Sequence, residues 1–208
     1  MHLTVDPQDF QSYGSAVQRE PWEEESHDQN PKVLFITCSD LPITSDILSR
    51  CGPGELFMMQ NPGNFVPPYT YEPNGEAATI EYALQILRVS HIVVCGHSPC
   101  GAISCLMNPE DPKQLPALRN WLTQALEAKR LIQKEFGHLE GESLVDQAIG
   151  ENIRAQLDNL QTHPKVVERL SLGAVKLHGW MYHIESRDLW FYDFEAQEFF
   201  PLADFPLT

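Results

Sequence analysis

Positive charge is scarce in this chain. Its 208 residues carry 14 Lys and Arg against 29 Asp and Glu, a formal net charge of −15 at pH 7. Nucleic acids and anionic membranes both select basic faces, so neither fits as the main partner. The acidic excess reads as a solvated surface. Long apolar runs are missing too. None approaches the roughly 18 residues of a membrane-spanning helix, and the first residues show no basic-then-apolar leader. A cytoplasmic location is therefore expected. Cysteine is sparse and odd in number, five in all, which argues against a disulfide framework in a chain without an export signal. There are no repeats, low-complexity tracts or linkers. What remains is an ordinary globular composition, 42% hydrophobic and 21% charged, long enough to bury one real core.

Two stretches stand out. HIVVCGHSPCGAIS (91–104) reads as a buried strand that stops at the cluster Gly96-His97-Ser98-Pro99-Cys100-Gly101. KVLFITCSD (32–40) has the same shape, an apolar strand with Cys38 and Asp40 at its exit. Cys51, Cys95 and Cys105 lie in or beside apolar runs, where a small buried thiol is the ordinary reading.

Around these stretches the order is strand, helix, strand. ELFMMQN (55–61) is a second strand, followed by the Pro/Gly loop NPGNFVPPY. Residues 75–90 place Ala77, Ile80, Ala83, Leu84 and Leu87 on one helical face. Further helices are predicted over 115–136, 143–160 and around 166–170, then strands over 174–184 and 189–194 joined by the turn Glu185–Asp188. Such alternation implies an α/β fold with a parallel sheet and right-handed crossovers. Residues 1–30, polar and acidic around Trp22, are either a helical arm packed on a partner subunit or a loosely held extension. Residues 31–208 form a single domain on this reading.

In an open parallel sheet, ligands gather beyond the carboxyl ends of strands, where the strand order reverses. Cys38 and the His97/Cys100 pair occupy such ends. Two thiolates and an imidazole are good zinc ligands, and three protein ligands leave a fourth position for water, whose pKa zinc lowers toward about 7. A core histidine with inert thiols is the alternative, though it leaves unexplained the glycines beside the cluster, which permit close backbone approach. A nucleophilic cysteine is another, but Cys100 has no arginine five or six residues on to bind a phosphate.

From about Pro31 to Phe194 the chain resembles the β-class carbonic anhydrases. The resemblance rests on CSD after the first strand, PGELF, NPGNFVPP, GEAATIEYALQILRVSHIVVCGHSPCGAI, ENIRAQLDNLQTHPKV and GAVKLHGWMYHIESRDLWFYD, in that order. It implies an α/β fold with a mostly parallel central sheet of about four strands flanked by helices. It also implies a homodimer or an assembly of dimers, with the N-terminal arm on the neighbouring subunit. The family places zinc on residues matching Cys38, His97 and Cys100, with Gly101 closing the pocket. Its reaction is the reversible hydration of carbon dioxide to bicarbonate.

Two departures bear on activity. The family's first motif is C-x-D-x-R, whereas this chain reads Cys38-Ser39-Asp40-Leu41-Pro42. Proline has no charge and no donor. Without the arginine that would hold Asp40 in a charge-assisted pair, the metal becomes its strongest positive neighbour. Asp40 is therefore expected either to orient the nucleophile and gate the site or to act as fourth metal ligand. Gln60 likewise stands where the family usually has arginine, and Arg50 is the nearest substitute in sequence. Phe65 and Val66 are candidates to wall an apolar pocket for a small uncharged substrate, carbon dioxide or a relative such as carbonyl sulfide or carbon disulfide. A silent zinc-binding member that recognises a small anion or a protein is the other reading. His27, His138, His163 and His178 are shuttle candidates in principle, with His178 better read as a satisfied core residue.

Overall fold

The sheet starts from VLFITC, Val33–Cys38 (β1), whose β-branched and aromatic residues suit a strand covered on both faces. The computed structural model describes residues 31–41, 54–107 and 115–202. The N-terminal arm, His27, Pro42, Arg50 and Cys51 lie outside the described residues. After β1 come Leu56–Asn61 (β2), helix Gly75–Gln85 (α1), His91–Ser98 (β3) and helix Gly101–Met107 (α2). Helices Pro116–Leu122 (α3), Leu126–Phe136 (α4), Gly141–Leu160 (α5) and Pro164–Ser171 (α6) follow, then Lys176–His183 (β4), Asp188–Asp193 (β5) and Glu198–Pro201 (β6).

The described strands form one sheet in the order β2-β1-β3-β4-β5-β6. β2, β1, β3 and β4 are parallel, while β5 and β6 are added antiparallel. The parallel part thus has the four strands expected, and among the described residues the sheet has six. β6 escaped the sequence reading because it is only four residues long. It follows a tight turn in which Asp193 Oδ1 accepts the N–H groups of Glu195 and Ala196, both at 2.8 Å.

Three further boundaries differ. β3 runs through Ser98 rather than stopping at Gly96, with His97 paired to Tyr182 and Ser98 to His183. α1 ends at Gln85, because Arg88 adopts φ 57° and turns the chain into β3. The predicted helix 115–136 is two helices joined by a 3-10 turn at Thr123–Ala125. There Thr123 Oγ1 donates to Asn120 O at 2.6 Å and Gln124 Nε2 to Trp121 O at 2.9 Å. Side chains that bond nearby carbonyls compete with helix propagation.

The main core joins one sheet face (Leu34, Ile36, Ile92, Val94) to the helices through Ile80, Leu84, Ile103, Ile149, Ile153 and Leu157. Phe35, Val93, Cys95 and Tyr182 form a second cluster on the other face. Two strand glycines set how closely α5 lies. A Cβ on Gly96 would sit 2.9 Å from Ile153 Cδ1, and one on Gly179 would sit 3.0 Å from Ile153 Cγ2. Among the described residues, no helix is long and apolar enough to cross a membrane.

Candidate metal centre

The chain steps from β1 to β2 on one side, then crosses back so that β3 lies on the other side of β1. The strand order reverses between β1 and β3, and a crevice opens there at the carboxyl ends. Parallel pairing in the register Thr37↔Cys95 brings Cys38 level with the approach to His97. Pro99 then turns the chain and Cys100 arrives just ahead of α2. The ligand atoms of Cys38, His97 and Cys100 all lie within 4.8 Å of one another. All three side chains are buried, with relative exposures of 0%, 1% and 1%.

The Cys38 sulfur is the electrostatic focus. Its Sγ lies 3.8 Å from Cys100 Sγ and accepts the N–H groups of Gly63 (3.2 Å) and Asp40 (3.4 Å). The bond from Cys100 holds the Cys38 thiol down at about 4, helped by His97 and the two amides and opposed by burial. Cys100, facing that thiolate in a buried site, is pushed up. Cys95, fully buried and outside the cluster, is pushed up to about 12 by burial, against a smaller lowering by Thr37, and donates to Gly96 O at 3.5 Å. It is an ordinary core thiol.

Among the described residues, neither ring nitrogen of His97 makes a hydrogen bond of ordinary geometry. Burying such a group unsatisfied costs on the order of 1–3 kcal/mol, and native structures rarely tolerate it without another ligand. A metal ion supplies one. Two sulfurs and an imidazole converging in a buried cluster match the donor preferences of zinc. The residues present therefore fit the metal that the resemblance implies.

Asp40 stands at the rim. Its Oδ2 accepts the Gly101 N–H at 2.7 Å, and a Cβ at Gly101 would meet that same oxygen at 2.9 Å. Gly101 is thus required by close approach. Among the described residues, this amide is the partner of the Asp40 carboxylate, which lies outside the cluster of three. Phe65 and Val66 are buried at 1% and 0% exposure, in the same core cluster as Cys38 and Cys100.

The loop after β2 carries Gly63 to the site, and most of what holds it was not read from the sequence. Within the loop, the Asn61 amide accepts from Phe65 N at 2.7 Å and donates to Phe65 O at 2.8 Å. From α5, Asn152 Nδ2 donates to Gly63 O at 2.9 Å, Gln156 Oε1 accepts from Val66 N at 2.8 Å, and Asn159 Nδ2 donates to Val66 O at 2.8 Å. Trp121 Nε1 donates to Pro62 O at 2.8 Å. Irregular backbone can be buried only if its polar groups are paired, and these side chains pair them. The spacing of the three amides along α5 is the one available signal, and it resembles a solvated face.

The other histidines stand apart from the cluster. His163 donates through Nε2 to Pro67 O at 3.0 Å, and burial pushes it below the usual imidazole range. His178 pairs with His91, so it is satisfied as expected, but it is half-buried rather than in the core. His138 is exposed.

Comparison with known proteins agrees with this geometry. Residues 33–189 match the family described as carbonic anhydrase. A carbonic anhydrase of Pseudomonas aeruginosa is 43% identical over 178 residues, covering 86% of this chain and 80% of that protein. One of Synechocystis sp. is 41% identical over 182 residues, covering 87% of this chain and 66% of that protein. The chain thus spans just under two thirds of the Synechocystis relative. The solved structure of the β-carbonic anhydrase CcaA superposes with a TM-score of 0.83 at 39% identity, over 93% of this chain and 95% of that one. Fold, cluster and sequence agree, and the chain belongs to the carbonic anhydrase family, with the fold of its β class.

Proposed function

We propose that the protein is a zinc-dependent lyase that catalyses the reversible hydration of carbon dioxide to bicarbonate and a proton. The observation that carries this reading is the buried Cys38–His97–Cys100 cluster at the β1/β3 switch point. In the holoprotein, Cys38, Cys100 and His97 would hold the metal. Zinc there would lower the pKa of a water in the fourth position toward about 7, making a nucleophile available at neutral pH. Asp40, anchored through Oδ2 to Gly101, keeps its second oxygen to accept a hydrogen bond and orient that nucleophile. Released from Gly101, the same carboxylate can approach the metal position, which would make it a gate. Phe65 and Val66 contribute apolar wall, suited to a small uncharged substrate. A cytoplasmic setting accords with the free thiols at Cys95 and Cys105. The homodimer or assembly of dimers follows from the resemblance and is read by light scattering.

The test is stopped-flow hydration of carbon dioxide by zinc-loaded protein, with Asp40→Asn and Pro42→Arg alongside. Wild type turns over. Asp40→Asn falls by about 10²-fold or more, the usual size of a positioned acid–base contribution. Pro42→Arg, which restores a partner for the carboxylate, raises the rate. A wild type that binds one zinc per chain yet hydrates no carbon dioxide overturns the proposal.

A further inference from the structure

Gly63 donates to the metal-site sulfur from a backbone position that only glycine adopts easily. Its φ is +85°, and a Cβ there would also meet the Phe65 ring at 3.0 Å. Left free, such a glycine would let its flanking peptides rotate. Both are clamped. The peptide that carries the Gly63 N–H has Pro62 O at its other end, and Trp121 Nε1 donates to that oxygen at 2.8 Å. The next peptide carries Gly63 O, which accepts Asn152 Nδ2 at 2.9 Å. Asn152 is held in turn, its Oδ1 accepting Gln156 Nε2 at 2.9 Å.

We infer that Trp121 and Asn152 are positioning residues of the metal centre, acting through the two Gly63 peptides to aim the Gly63 N–H at the Cys38 sulfur. A trans peptide points its N–H and C=O in opposite directions. Trp121 and Cys38 are therefore bonded to opposite ends of one rigid plane, and the indole donor both orients that plane and polarises it toward the sulfur. Trp121 is also packed on Phe65, with ring centroids 6.1 Å apart. Groups that orient a metal's ligands typically contribute about 10- to 100-fold in metal affinity. The inference rests on the metal reading above and adds to it two residues that touch neither metal nor substrate.

The experiment compares zinc affinity, by competition with a chromophoric chelator, and the sulfur-to-cobalt charge-transfer band of the cobalt-substituted protein. Trp121→Phe keeps an aromatic ring against Phe65 while deleting the indole N–H. Asn152→Leu keeps similar volume. Thr162→Val is the control, because it removes a bond from Tyr69 N at the far end of the same loop and none from Gly63. Trp121→Phe and Asn152→Leu should each weaken zinc binding by about 10- to 100-fold and shift the band, while Thr162→Val leaves both near wild type. Unchanged affinity and band in Trp121→Phe, or an equal change in Thr162→Val, overturns the clamp. A measurement on the wild type guards against variants that fail to fold. With an NMR-active cadmium isotope in the site, the Gly63 amide proton should show scalar coupling to the metal through the sulfur, and its absence also overturns the clamp. A wild type that takes up neither zinc, cobalt nor cadmium overturns the metal centre itself, a distinct result.

Discussion

Strand β3 carries a histidine near each end, and the two have opposite surroundings. His91, at the amino end, has Nδ1 2.9 Å from Nε2 of His178 on the neighbouring strand. His97, at the carboxyl end, is buried beside two thiols, and among the described residues neither of its nitrogens makes an ordinary hydrogen bond. The same residue type on the same strand is a bonded pair in one place and a buried ring beside two thiols in the other. The difference lies in what each ring meets. A satisfied imidazole needs nothing more, whereas a buried unsatisfied one is stable only when something outside the chain completes it.

Exchanging the two ends tests this contrast most severely. His97→Gln should abolish stoichiometric zinc binding and reduce hydration to the uncatalysed rate, while His91→Gln retains both. Metal content by atomic absorption, together with stopped-flow assay, reads the pair. If both variants keep zinc, the distinction collapses.

A smaller effect is expected between the two histidines. Gly96→Ala pushes a methyl into Ile153 and Ile149, at 2.9 and 3.0 Å. Overpacking of this kind costs about 1–3 kcal/mol, measurable by urea unfolding of metal-free protein. Zinc stoichiometry should be unchanged, because the clash is with α5.

The smallest effect concerns pH. Burial pushes His178 below the usual imidazole range, and the charges of His91 and Lys176 act in the same direction. The folded protein thus holds His178 neutral. Its contribution is present in full above about pH 6.5, the unfolded value, and is lost as the pH falls through the lower folded value. In His178→Gln the fall in Tm between neutral and mildly acidic pH should be shallower than in wild type. His163, depressed mainly by burial, sustains the part of the slope that remains. An identical slope in His178→Gln removes His178 from the account.

Much of this is legible in the sequence. The runs VLFITC and HIVVC announced β1 and β3 because apolar, β-branched residues bounded by turn signals have few other uses. Cys38, His97 and Cys100 were legible because soft ligands at strand exits are uncommon, and the resemblance tied them together. The polar support of the site was not legible. Asn152, Gln156 and Asn159 look like the wet side of a helix, and only folding shows them paired with a loop about ninety residues earlier in the chain. Asp40 was singled out for its chemistry, but the amide that receives it belongs to Gly101, on another strand's exit.

Residue type and local periodicity were enough to read the parallel strands, the candidate ligands Cys38, His97 and Cys100, and the family. Tertiary structure decided that β3 carries His97 within the strand, that β5 and β6 extend the sheet, and that Gly63 reaches the Cys38 sulfur. Those outcomes depend on which distant partner satisfies each buried polar group, and pairing at long range leaves no periodic trace in the chain.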